Sequence, residues 1–192
     1  AGADSVILPE KFSGAALEQL FQSINGFLIP GGADPKGKSV DSMVARAVKA
    51  HGEGDYFPVW GTCLGFEWLT DIFGGYNSIV PGFDSEDLAA PLTFTEEAAM
   101  SRTYSMANAS LMHWLSAEDI TYNAHHDGIE ASAFAANAPL TGNFTVLATS
   151  TDREGKVFVA QMEAKGMPIY ANQFHPEKIE FVHSVAQPSI PR

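Results

Sequence analysis

The chain has 192 residues, which at roughly 150 residues per domain argues for one domain. Its 45% hydrophobic and 18% charged residues are the balance of a globular protein rather than a disordered or fibrous one. Eleven basic against twenty-three acidic residues leave a net charge of −12, a field that repels phosphate backbones and anionic lipid and puts nucleic-acid and membrane-surface partners at a disadvantage. The apolar runs fall far short of the ~20 residues a membrane helix needs, so no membrane insertion is expected. The single cysteine, Cys63, excludes an internal disulfide and a cysteine-rich zinc site, and no metal or cofactor is called for.

In chain order, strands and helices alternate. Val6-Ile7-Leu8 is a short apolar run closed by Pro9, and Ser13 caps a helix whose Leu17, Leu20, Phe21 and Ile24 recur at helical spacing. Gly26 to Ile29 is a buried-strand run ended by Pro30-Gly31-Gly32. Ser39 to Ala50 carries a helical stripe of Val40, Met43, Val44, Ala47 and Val48. Tyr56 to Trp60 is a third strand, leading through Gly61-Thr62-Cys63-Leu64-Gly65 into a helix that Gly74-Gly75 stops. The second half predicts strands at Asn77–Val80, Pro91–Thr95, Ile120–Asn123, Phe144–Ser150, Val157–Glu163 and Ile169–Phe174, with a helix over Asn108–Leu115. Repeated strand–helix crossovers imply an α/β domain with a mostly parallel central sheet and helices on both faces, spanning residues 1–192. Asn108-Ala109-Ser110 and Asn143-Phe144-Thr145 are potential glycan acceptors, with Asn143 expected in a loop.

Two motifs compete for the chemistry. Gly32-Ala33-Asp34-Pro35-Lys36-Gly37-Lys38-Ser39 matches the phosphate-loop pattern G-x-x-x-x-G-K-[ST] and lies between a strand and a helix. Pro35 removes an amide from such a cradle and Asp34 puts a negative charge where phosphate would sit. No later strand ends in the aspartate that would complete a magnesium site. The plainer alternative is a polar loop with Ser39 as helix N-cap.

The second motif is Gly61-Thr62-Cys63-Leu64-Gly65 between a strand and a helix, a nucleophile elbow with cysteine in the serine's place. Glycines permit the close backbone approach of that turn, the helix N-terminus favours a thiolate, and the amide of Leu64 becomes an oxyanion donor. The alternative is a buried structural cysteine. A cysteine nucleophile needs a base and an orienting group. His175-Pro176-Glu177 follows the strand ending at Phe174, so it belongs to the carboxyl-end edge that also holds the elbow. Extended residues at i and i+2 share a side, which lets Glu177 reach the His175 ring.

Tyr56 to Glu67 (YFPVWGTCLGFE), Ile24 to Gly32 (INGFLIPGG) and Gln173 to Lys178 (QFHPEK) together resemble γ-glutamyl hydrolases of the class I glutamine amidotransferase-like superfamily, whose flavodoxin-like layering the domain is expected to share. The resemblance runs from about Ala1 to Lys178. It implies that Cys63 attacks a γ-glutamyl amide carbon, that His175 shuttles the proton, and that Glu177 holds the ring. Gly32 and Leu64 would form the oxyanion hole, and Gly31, Glu67 and His125 would line the substrate site. Asn123-Ala124-His125 matches a family segment, whereas His126 has no such match. Glu67 stands where the glutaminases of the superfamily carry glutamine.

The resemblance further implies folate and antifolate poly-γ-glutamate substrates, a homodimer, and a lysosomal, vacuolar or secreted home. In an acidic compartment a Cys63 thiolate–His175 imidazolium pair would persist. Relative to the family, a strand and helix ahead of Ala1 and a helix after the His-Pro-Glu segment are expected to be missing, which would leave neighbouring strands with unpaired backbone and bare apolar faces. A non-catalytic relative that serves as a structural or interaction module remains the alternative.

Overall fold

The structure, a computed structural model, describes residues 2–9 and 11–178. The elements are α1 (Gly14–Phe21), β1 (Phe27–Ile29), α2 (Lys38–Gly52), β2 (Val59–Thr62), α3 (Leu64–Gly74), β3 (Val80–Ala90), β4 (Thr93–Phe94), α4 (Ala109–Ala117), β5 (Thr121–Gly128), α5 (Ala131–Ala136), α6 (Ala138–Asn143), β6 (Phe144–Thr151), β7 (Val157–Ala164) and β8 (Ile169–Asn172). Six strands form one sheet in the order β1-β2-β8-β7-β6-β4, while β3 and β5 form a separate ribbon.

The α/β class holds, but the sheet is mixed rather than mostly parallel. β1, β2 and β8 run parallel, with Ile29 opposite Gly61 and Thr62 opposite Asn172. The pairs β8–β7, β7–β6 and β6–β4 are antiparallel. Connection length explains the split. Residues 38–52 supply a crossover helix between β1 and β2, whereas residues 152–156 and 165–168 are too few for one, so they close hairpins. The first hairpin is tied by Asp152, whose Oδ1 accepts from the amides of Glu154 and Lys156.

Helical cover is uneven. On one face Ile29, Val59, Ile169 and Ala171 pack against Leu17, Met43, Phe66, Leu69, Phe134 and Leu140 from α1, α2, α3, α5 and α6. On the other, Ala148, Phe158 and Ala160 meet Phe83 of the ribbon, with Leu115 of α4 alongside. That second face is open over β1, β2 and β8 among the described residues. Leu28 is 63% exposed, Trp60 stacks on Tyr170 at 5.9 Å, and these three line a broad groove. β1 is an edge strand among the described residues. The expected strand at Val6–Leu8 is irregular, with Ile7 exposed and no ladder partner among the described residues. The expectation about a helix after the His-Pro-Glu segment falls outside the described residues.

Two further differences bear on function. β3 continues through Pro81, Gly82 and the polar run Asp84 to Asp87, where register shifts interrupt its pairing with β5; a bulged, polar strand lacks the alternation by which strands are read. Asn143 is the last residue of α6 rather than a loop residue, because Asn137 caps that short helix by accepting from the amide of Leu140. Asn108 caps α4 in the same way, through the amide of Leu111 at 2.8 Å.

Candidate active site

Cys63 sits between β2 and α3 with φ 51° and ψ −107°, a left-handed backbone that a non-glycine residue adopts only where its surroundings impose it. Those surroundings are tight. A Cβ on Gly65 would run into the backbone carbonyl of Ile29, and one on Gly61 would lie 2.6 Å from the carbonyl oxygen of Gly65. The two elbow glycines therefore let α3 close down on β1 and β2. The Cys63 amide donates to Asn172 O at 2.8 Å, extending the β2–β8 ladder by one residue beyond Thr62.

The same ladder brings His175 to this edge. Its amide donates to Tyr122 O at 2.7 Å, and its Nδ1 donates to Glu177 Oε1 at 2.6 Å, as the i, i+2 spacing predicts. That bond leaves Nε2 for proton transfer. The ring is 2% exposed, while the Glu177 carboxylate keeps one side in solvent. Gly31 lies so close to the ring that an added Cβ would collide with Cε1. A Cβ on Gly32 would lie 3.5 Å from Leu64 Cδ2, so the two expected oxyanion residues are neighbours.

Burial governs the charges. Cys63 is 4% exposed; burial first, then the Glu67 carboxylate, pushes its thiol up to about 12. The Leu64 amide works in the opposite direction. Burial also holds His175 below the usual histidine value, against the pull of Glu177. Both shifts run against the expected thiolate–imidazolium pair: helix α3 offers its N-terminus, but desolvation and a neighbouring carboxylate act in the opposite direction. Glu67 is itself raised to about 7, chiefly by burial.

His125 is brought to the site's edge on β5. Its Nδ1 donates to Asp127 O at 2.8 Å, its ring meets Phe158 edge-on at 4.8 Å, and burial lowers it to about 4. Its Nε2 is a buried lone pair with no hydrogen-bond partner among the described residues. His126 points outward, 3.6 Å from Glu86. Asn108 and Asn143 belong to neither element of the site. In the phosphate-loop segment, Gly37 rather than Ser39 is the N-cap, Ser39 is buried, and Lys36 pairs with Asp41 at 2.8 Å; the chain turns into α2 earlier than the hydroxyl suggested.

Sequence reasoning missed Gln173 and the β3–β5 ribbon. Gln173 Nε2 donates to Glu67 Oε1 at 2.9 Å, and its i, i+2 relation to His175 was the available signal. The ribbon lays Ala124 O 3.9 Å from Cys63 Sγ; no local pattern announces such a long-range contact.

A cysteine on a constrained elbow at the end of β2, with a histidine–carboxylate pair just beyond the neighbouring parallel strand β8, defines a class of protein by fold and site together. The chain belongs to the glutamine amidotransferase class-I family, whose pattern matches residues 1–187. Among individual relatives it is 39% identical to mouse (Mus musculus) gamma-glutamyl hydrolase over 94% of this chain and 58% of that protein. It is also 39% identical to the human (Homo sapiens) gamma-glutamyl hydrolase over 85% of this chain and 52% of that one. The chain thus spans a little over half the length of these curated relatives. The glutaminase domain of Trypanosoma brucei CTPS, solved with bound acivicin, shares the fold with a TM-score of 0.59 at 16% identity, covering 97% of this chain and 76% of that one.

Proposed function

We propose that the chain is a cysteine-dependent hydrolase of γ-glutamyl amide bonds, acting on folate and antifolate poly-γ-glutamates. The observation that carries this reading is the Cys63 elbow, set beside the His175–Glu177 pair across the β2–β8 ladder, together with gamma-glutamyl hydrolases as relatives. His175 Nε2 takes the thiol proton as Sγ bonds to the amide carbon and the carbonyl π pair moves to oxygen. The amides of Gly32 and Leu64 hold that oxyanion. Collapse expels the amine, which receives the proton from His175 and leaves a thioester on Cys63. Water then attacks, giving one proton to His175, which returns it to the departing sulfur. Gly31 seats the ring, Glu67 faces the substrate side, and the His125 Nε2 lone pair accepts a donor from the glutamyl group.

Release of glutamate from a folate poly-γ-glutamate between pH 4 and 8 is the test. Wild type is expected to be active and Cys63→Ala inactive. Full activity in Cys63→Ala would sink the reading; an inactive, well-folded wild type would favour the non-catalytic alternative.

The profile is expected to favour mildly acidic pH. A depressed His175 stays an unprotonated base below the usual ~6.5, and Glu67 loses the charge that opposes the thiolate once pH falls through about 7. An optimum well above 7 would contradict that assignment. An acidic home, lysosome, vacuole or secreted fluid, fits the same chemistry. There Asn108, exposed at the start of α4, is the better glycan acceptor, since the Asn143 amide nitrogen already donates to Pro139 O at 2.8 Å. A mass loss on endoglycosidase digestion that disappears in Asn108→Gln checks it. A homodimer is part of the proposal, read by light scattering. No helix among the described residues is long and apolar enough to cross a membrane.

A further inference from the structure

Gln173 is the side chain that reaches both Cys63 and Glu67. It is fully buried at the end of β8, with relative exposure of 0%. One Nε2 hydrogen goes to Glu67 Oε1 at 2.9 Å, and the same nitrogen lies 4.0 Å from Cys63 Sγ. Its Oε1 is buried without a partner among the described residues. A primary amide carries two N–H donors, so the Glu67 contact leaves one for the sulfur. With Glu67 ionised, reversing the amide would turn Oε1 toward the carboxylate, acceptor against acceptor. Above about pH 7 Glu67 therefore decides which end of the amide faces the thiol. With one N–H held by Glu67, the second N–H is available for a task at the sulfur.

The task is visible in the surroundings of the sulfur. Burial and the Glu67 carboxylate both oppose charge on Cys63, and the Leu64 amide is a donor working the other way. In the proposed mechanism the Leu64 amide turns to the oxyanion once the carbonyl is attacked, which leaves the Gln173 N–H as a further donor beside the sulfur. We propose that Gln173 is a catalytic residue, its Nε2–H stabilising the negative charge that develops on Cys63 Sγ while His175 takes the thiol proton, with Glu67 the positioning residue that aims it. No proton passes through Gln173. The proton goes to His175 Nε2, the sulfur lone pair forms the S–C bond, and the N–H···S contact shortens from 4.0 Å as charge grows. This inference rests on Cys63 being the nucleophile, as argued above.

Because Cys63 is the single cysteine, its alkylation by iodoacetamide reports on this thiol alone. Gln173→Met keeps the length and removes the donors. At pH 7.5 its alkylation rate is expected to fall about tenfold, and kcat for glutamate release by ~10²-fold with KM held within about twofold, as for loss of one preorganised donor. Gln173→Met also strips Glu67 of its donor. The comparison is therefore repeated in a neutral background, Glu67→Gln/Gln173→Met against Glu67→Gln, with melting temperatures recorded for all four proteins; a fall in kcat is again expected. Alkylation and kcat within twofold of the parent in both backgrounds overturn the proposal while leaving the cysteine mechanism intact. Hydrolysis that survives Cys63→Ala removes its foundation as well.

Discussion

At the scale of single residues, the site is a contest between desolvation and partners. Cys63, His175, His125 and Glu67 are all displaced toward their neutral forms, and burial is the first cause in every case. Burial thus works against charge on each of these four groups, and the charge that the reaction develops must be met by hydrogen-bond partners. Glu67 is the residue through which pH acts on the thiol. When ionised it raises the Cys63 thiol, so Glu67→Gln is expected to speed iodoacetamide alkylation severalfold at pH 8, where the wild-type carboxylate is charged. Below about pH 6 the two proteins should converge, because wild-type Glu67 is then protonated. An unchanged rate at pH 8 would mean that the carboxylate is screened from the sulfur.

At the scale of elements, function depends on how closely three backbones meet. β1 ends in Pro30-Gly31-Gly32, β2 in the elbow, and β8 in the approach to His175. Gly31 needs no left-handed backbone; it needs the absence of a Cβ beside the imidazole. Gly31→Ala is expected to displace the ring by about an ångström and lower kcat by ~10²-fold, since reacting groups tolerate little misplacement, with the melting temperature nearly unchanged. Steady-state kinetics and a thermal melt on the same preparation check it. The elbow, the β1–α2–β2 crossover and the His-Pro-Glu pair were all legible, because each is local and has a defined residue pattern. The antiparallel half was less so. Val157–Glu163 and Ile169–Phe174 read as strands, but their direction depended on the short joins at 152–156 and 165–168, which hydrophobic periodicity does not weigh. α5 and α6, six residues each, are too short to show a helical stripe and exist because Phe134 and Leu140 bury into the main core.

At the scale of the whole molecule, the proposed poly-γ-glutamate substrate is a polyanion, and a protein of net charge −12 would meet it against its own field. Screening should relieve this. At pH 7, raising ionic strength from ~0.01 to ~0.15 M shortens the Debye length from ~30 to ~8 Å, and KM for a poly-γ-glutamate is expected to fall severalfold while kcat stays nearly constant. At pH 5, where part of the carboxylate charge is titrated, the salt effect should shrink. A KM that rises with salt at pH 7 would instead indicate a local cationic subsite. The open face over Leu28, Trp60 and Tyr170 lies on the opposite side of the sheet from the main core, away from the interior that holds β1 and β2 against α3.

By itself the sequence determined the elbow at Cys63 and the His175–Glu177 pair, the residues proposed as nucleophile, base and orienting carboxylate, because an elbow between strand and helix and an i, i+2 pair are set by local backbone geometry. It also determined the alternation of strands and helices, since buried faces repeat with fixed periods. Tertiary structure alone decided how burial acts on the titrating groups. It pushes the Cys63 thiol up and holds the His175 imidazole down, against the charge pair that the helix N-terminus and mutual attraction favoured. It also decided that Gln173 touches Cys63 and Glu67 together. That contact joins residues more than a hundred positions apart, and only the β2–β8 ladder puts them side by side.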